Sequence, residues 1–293
     1  MAFRATAFND AKVVDLLKTH FVCVGIAHNG AGRRKDAEGD FARKLIGKGG
    51  TLQGLHVINT AGELIGYVYD FRPESVVAML DEALKKFKPV DAPPIDFTKK
   101  DKRFEMPPDG LVVVTIAKVL GGHEPVKSAK GTIQHDVENA WKTSLGREHL
   151  WVRKDEVQAL VKGELPESLK KRIVRYHLVD NTRGTPTGWS EPEIKKLDLT
   201  LDKERLKGSV HLETKDGSRG YQAELLGFLR TGEGKVTRFD IVARGEFWGQ
   251  GAYTPGAPKG RFPLAISFTL GDRHDPLYNL VPDAVRCYAD YLR

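Results

Sequence analysis

Cysteine is scarce: Cys23 and Cys287 are the only two in 293 residues. Two thiols so far apart form neither a Cys-x-x-Cys pair nor a zinc cluster, and the disulfide frameworks of small secreted scaffolds need more of them. Long apolar runs are missing as well. The longest, Leu111 to Leu120, contains Lys118 and falls short of the roughly twenty residues of a membrane-spanning helix. The N-terminus, MAFRATAFNDAK, lacks the apolar stretch of an export signal, so a cytoplasmic location is expected over an exported one. The chain also lacks GxxxxGK[ST], a GxGxxG after a strand, HExxH, GxSxG and an EF-hand loop. P-loop nucleotide hydrolysis, serine hydrolysis from a nucleophile elbow and zincin proteolysis lose their support with them. No motif names a reaction, and no residue is singled out as catalytic.

Charge of one sign is not concentrated either. The net charge is +7, from 46 Lys and Arg against 39 Asp and Glu, yet the first hundred residues carry fifteen basic and twelve acidic side chains. A polyanion-binding surface gathers its excess on one element, so polyanion binding ranks last among the functions considered and a nucleic-acid partner is not expected. Arg33-Arg34-Lys35 has no interleaved aromatics and reads as a solvated helix start. With 40% hydrophobic and 29% charged residues, the chain is that of a globular protein of about two domains.

The first 90 residues alternate helix and strand signals. Asn9 and Asp10 can cap a helix carrying Val13, Val14, Leu16 and Leu17 and ending near His20. Phe21 to Ala27, FVCVGIA, is a short β-branched run that predicts a strand buried on both faces, with Cys23 a small buried hydrophobe within it. After His28-Asn29-Gly30-Ala31-Gly32 comes an amphipathic helix, RRKDAEGDFARKLI. Gly54 to Asn59 and Glu63 to Tyr69 bracket a turn, and Pro73 opens a helix with the stripe Val76, Val77, Leu80, Ala83, Leu84 and Phe87.

That order over residues 1–90 resembles a compact thioredoxin-like domain. FVCVGIA matches the family's central strand, His28 to Gly32 lies where the family carries Trp-Cys-x-x-Cys, and LQGLHVINTAGEL resembles the strand and turn after its cis-proline. The departures are as informative: neither redox cysteine is present, Gln53-Gly54 stands at the proline position, and one strand and helix of the full fold are absent. The resemblance therefore implies a non-redox domain that docks a protein partner, because disulfide exchange needs an attacking thiolate and a resolving thiol.

Residues 91–108 follow, a proline-rich and charged stretch read as a linker. Residues 109–293 form the second expected domain. LVVVTIAKVL is a strand, residues 135–175 read as mostly helical, and Leu197 to Leu201, Gly208 to Thr214, Tyr221 to Leu229, Lys235 to Phe247 and Phe262 to Leu270 read as strands separated by turns. The fold class is thus α+β: a thioredoxin-like N-terminal domain and a larger antiparallel β sandwich or barrel with a helical insertion.

Three features carry candidate chemistry. His149, His177 and Asp180 offer two imidazoles and a carboxylate that could ligate a divalent transition metal, against a polar corner in which Asp180 or Asn181 caps a turn and Arg183 pairs with a carboxylate. His211 and Glu213 share one strand face, as metal ligands or as an ordinary solvated surface. The segment Ala243 to Leu264 holds five glycines, three prolines and four aromatics and could form a binding rim. Arg183, Phe247, Trp248 and Tyr253 are its candidate ligand contacts, against a rigid loop packed on its own aromatics. The expected function is a binding protein whose β domain holds a small ligand or metal. The alternatives are a metal-dependent enzyme at the mouth of that domain and, last, a polyanion binder.

Overall fold

A computed structural model describes residues 7–25, 31–49, 53–70, 72–92, 96, 98–123 and 144–293. The chain divides into two compact units, residues 2–105 and 106–293. Among the described residues no helix is long and apolar enough to cross a membrane.

In the first unit α1 spans Ala11–His20, α2 Ala37–Gly49 and α3 Pro73–Lys86, with the antiparallel pair β1 (Leu55–Ile58) and β2 (Leu64–Val68) between α2 and α3. The Asp10 carboxylate caps α1 by accepting from the N–H groups of Lys12 and Val13 at 3.0 and 3.1 Å, satisfying donors that a helix start leaves open. Pro73 stands in the first turn of α3, and Val76, Leu80 and Ala83, at helical spacing, are buried with Val13 and Val57. The strand expected over FVCVGIA is not formed by Phe21–Gly25, where Val22 is 95% and Val24 75% exposed. Among the described residues no neighbouring strand supplies ladder bonds there, and an apolar β-branched run becomes a strand only against a partner. Cys23 is exposed rather than buried. Residues 26–30, including His28, Asn29 and Gly30 of the expected loop, lie outside the described residues.

The stretch expected as a linker is fastened at its C-terminal end. The Asp101 N–H donates to Asp36 Oδ2 at 3.2 Å while the Lys35 N–H donates to Asp101 Oδ2 at 3.1 Å. Arg34 pairs with Asp36 and Arg103 with Asp101, each at 2.6 Å, and both guanidinium groups lie over the Phe104 ring. Arg34 holds the Asp36 carboxyl down at about 2, and Arg103 holds that of Asp101 lower still. Residues 101–104 therefore belong to the first unit.

The second unit is built on one seven-stranded sheet, in the order β4-β3-β9-β8-β7-β6-β5 and antiparallel throughout. Its strands are β3 (Leu111–Val119), β4 (Gly146–Val152), β5 (Ile194–Asp202), β6 (Arg205–Glu213), β7 (Gly220–Gly232), β8 (Lys235–Trp248) and β9 (Arg261–Leu270). The order is open, with β4 and β5 as edges, so among the described residues the sheet neither closes into a barrel nor meets a second β layer. Alternate residues such as Val113, Leu150, Leu212, Leu225, Ile241 and Phe268 face one side. There they bury against Leu160 of α4 (Lys154–Val161), Leu169 of α5 (Glu167–Arg172) and Ile173 and Val174 of a π-helical turn, Ile173–His177. Helices take the place of the second sheet because this stretch of chain supplies the apolar cover that the sheet's inner face requires.

One expectation changes here. Residues 146–152 form an edge strand, not part of a helix, while residues 135–143 lie outside the described residues; His177 ends the π turn. The C-terminal stretch covers the β4 edge. The Trp151 N–H donates to Tyr291 Oη at 3.2 Å, and Trp151 and Val112 bury their side chains with Tyr278, Ala284 and Tyr291. The guanidinium of Arg172 donates to the carbonyl of Trp151 at 3.3 Å, to that of Tyr291 at 2.7 Å and to the carboxylate of Glu156 at 2.6 Å. An edge strand left open would expose unpaired backbone groups; here a tyrosine and an arginine satisfy them.

A candidate site under the C-terminal helix

Glu148 occupies a core-facing position of β4, opposite Thr115 of β3 and two residues from Leu150. A carboxyl on the face where leucine and valine are expected is costly unless something answers it. Its Oε1 accepts from the His149 N–H at 2.8 Å and its Oε2 from the Asp283 N–H at 3.0 Å, at the start of α6 (Asp283–Cys287). Burial, reinforced by the nearby Asp283 carboxylate and opposed by those two N–H groups and Arg286, pushes its carboxyl up to about 7. The carboxyl of Asp283 is raised by burial too, with Arg286 opposing at 3.3 Å.

Around Glu148 lies a small pocket whose wall includes Thr115, His177, Asn181, Asp283, Tyr176 and Tyr288, with a free volume of about 20 Å³. That is room for one water molecule. Two residues of its wall each carry a buried polar atom without a partner among the described residues, His177 Nδ1 and Asn181 Oδ1. The other ring nitrogen of His177, Nε2, is 2.9 Å from the Tyr291 hydroxyl. That hydroxyl accepts from the Trp151 N–H; with its own proton given to Nε2, the ring proton of a neutral His177 sits on Nδ1. Burial, followed by the charges of Arg172 and His149, pushes the imidazole down to about 3, so it is neutral at pH 7. The pocket wall thus brings together a neutral imidazole, an amide and a carboxyl that titrates near neutrality. Gly146 makes the Asn181 position possible, because a Cβ there would stand 1.9 Å from Asn181 Oδ1. In the pocket wall the Tyr176 and Tyr288 rings lie 4.8 Å apart, and Tyr288 Oη accepts from the Gly188 N–H at 2.7 Å.

The expected metal set is not assembled. Among the described residues no group of three His, Cys, Asp or Glu side chains could hold a metal ion. His149 neighbours Glu148 along the strand and so points to the opposite face. It is fully buried there with both ring nitrogens unpartnered, and burial and Arg147 lower it to about 4. Asp180 is committed elsewhere: it accepts from the Thr182 N–H and hydroxyl at 3.0 and 2.6 Å and pairs with Arg183 at 2.6 Å, both side chains almost wholly buried. The polar-corner reading describes this geometry. His211 and Glu213 pair with each other, 2.9 Å apart, on the outer face of β6.

The expected ligand contacts do not share a wall either. Arg183 donates to the carbonyls of Thr254 and Pro255, so the two loops do meet, but around a consumed guanidinium. Phe247 is core, 5.6 Å from Phe262 and 5.7 Å from Tyr221. Trp248, next in the strand, faces the other side, with its ring against Gly220, Arg261 above it at 4.1 Å, and its N–H donating to the Gly217 carbonyl at 3.0 Å. Tyr253 is 73% exposed. Of the expected residues only His177 lines the pocket. Glu148 and Asn181 were missed as site residues, and the available signal was the spacing Glu148, Leu150, Val152, which places a carboxyl on the inward face once that segment is read as a strand. No family model matches this chain, and neither a curated protein nor a solved structure matches it.

Proposed function

We propose that the second unit is a ligand-binding module whose site is the pocket between β3, β4 and α6, and that it takes a hydroxyl group of a small neutral molecule. The observation that carries the reading is a pair of unpartnered atoms, His177 Nδ1 and Asn181 Oδ1, on two residues that line one pocket of about 20 Å³. Buried polar groups are rarely left unpaired. An occupant of one-water size that accepts from an N–H and donates to a carbonyl oxygen is a hydroxyl, with water holding the place in its absence. The rest of the molecule would lie against the Tyr176 and Tyr288 rings. A metal forms no part of this proposal.

The test is a titration of ¹⁵N-histidine-labelled full-length protein with ethylene glycol and glycerol, with acetate and ammonium as controls, at pH 7. The expected result is a saturable shift of the His177 Nδ1 resonance with the diols alone, weakened in Asn181→Ala. No response to any hydroxyl compound, or equal response to the ions, overturns the reading.

The titration of Glu148 near pH 7 favours a second reading, an enzyme in which that carboxyl exchanges a proton with the bound hydroxyl. Hydroxyl binding kept and turnover lost in Glu148→Gln would support it. For the first unit the proposal is a thioredoxin-like module without redox cysteines that docks a protein partner. The order of α1, the β1–β2 hairpin and α3 supports it, and turnover in an insulin-reduction assay that disappears in Cys23→Ser would sink it.

A further inference from the structure

The β4 edge of the sheet is covered, but β5, the other edge, has β6 on one side and no strand on its free side among the described residues. Its register on β6 slips between Ile194 and Lys196, so Lys195 stands outside the ladder and the regular stretch is residues 196–202, Lys-Leu-Asp-Leu-Thr-Leu-Asp. That stretch is centred on Leu199. Leu197, Leu199 and Leu201 face the core, while Lys196, Asp198, Thr200 and Asp202 are exposed. Turned end for end about Leu199, the segment sets Lys196 against Asp202, Leu197 against Leu201 and Asp198 against Thr200.

We propose that β5 pairs antiparallel with β5 of a second copy of this chain, about a two-fold axis at Leu199, joining two sheets edge to edge. Residues directly opposite in an antiparallel pair share a face, so this register continues the leucine row across the seam and places two Lys196–Asp202 pairs on the exposed face. Charge on an edge strand ordinarily prevents such pairing. Here the charges at the two ends are opposite in sign and equidistant from the centre, so a self-pair in this register is complementary, whereas moving the axis by one residue to Asp198 sets that aspartate against itself. The contact is isologous and closes at two copies. A seam of two short strands is small beside a standard interface, so the dimer is weak and dependent on concentration.

The test is sedimentation velocity of the full chain over a concentration series. The wild-type chain is expected to show a monomer–dimer equilibrium. Lys196→Asp and Asp202→Lys are each expected to weaken it about tenfold or more, since each places like charges together twice. An equimolar mixture of the two variants should dimerise again, as should the chain carrying both changes, because opposite charges then face each other. A wild-type chain that stays monomeric at every concentration overturns the proposal and leaves the edge to an extended segment of another protein. A dimer indifferent to both single variants overturns it as well, by placing the contact elsewhere.

Discussion

Glu148→Gln separates the cost of a buried charge from the geometry around it. The amide keeps an oxygen to accept from a backbone N–H and cannot ionise. In the folded protein the carboxyl of Glu148 titrates at about 7 against an ordinary 4.5. At roughly 1.4 kcal/mol per tenfold change in affinity for the proton, the ionised form is disfavoured by about 3 kcal/mol. Solvent reaching the pocket lowers this to about 1–3 kcal/mol. A group whose folded value is raised contributes its stability fully below the unfolded value and loses it as pH rises through the folded one. The Glu148 contribution to wild-type stability should therefore fall by that amount between pH 4.5 and about pH 8, and Glu148→Gln lacks that contribution. Urea unfolding followed by tryptophan fluorescence reads the second unit directly, since Trp141, Trp151, Trp189 and Trp248 all lie in it. The expected result is a stability difference between variant and wild type that moves in the variant's favour by about 1–3 kcal/mol from pH 4.5 to pH 8.5 at constant slope in urea. Parallel pH profiles for the two proteins would refute the assignment of a strained carboxyl to Glu148.

On the acid side His149 and His177 are held neutral, at about 4 and about 3 against 6.5, so stability should fall as pH drops below 6.5, each contributing up to about 1.4 kcal/mol per pH unit. Between pH 4.5 and 6.5 Glu148 opposes them by one proton, and His177→Gln should make the wild-type slope shallower there; an unchanged slope would argue against burial of a neutral imidazole. Arg172→Met leaves the Glu156 carboxylate buried without its guanidinium and should cost about 3–5 kcal/mol by urea unfolding, with Glu156→Gln in the same background recovering part of it. Less than about 1 kcal/mol for the single change would mean the pair is not buried. Asp101→Ala should expose Lys99, Lys100, Lys102 and Arg103 to trypsin while the wild-type chain is cut there more slowly, because the clamp of Asp36 and Asp101 holds that stretch down; equal cutting rates would contradict the clamp.

The five strands β5 to β9 were legible because each alternates, with a turn such as Lys215-Asp216-Gly217 between neighbours. β4 was not, since Leu150, Trp151 and Val152 are all buried, and a strand buried on both faces shows no period of two. Phe21–Gly25 failed for the converse reason, having the composition of a buried strand without a partner strand among the described residues. The site was legible in its parts rather than as a set. His177 stood out by residue type, and the Asp180–Arg183 pair was readable as a turn. Glu148 meets Asp283 only because α6 closes over the β4 edge, a contact between positions 135 residues apart, and Asn181 joins them only as part of the same pocket wall. The aromatic segment drew attention for its composition, yet strand alternation divides Phe247 from Trp248 and assigns one to the core and the other to the outer face.

The most direct measurement is a crystal structure of the full chain at neutral pH, with and without glycerol. The expected result is an oxygen atom about 2.7–3.2 Å from both His177 Nδ1 and Asn181 Oδ1, a water in the free protein and a glycerol hydroxyl in the soaked crystal. A dry pocket, or His177 Nδ1 and Asn181 Oδ1 both satisfied by protein groups, would contradict the assignment of this pocket as the site.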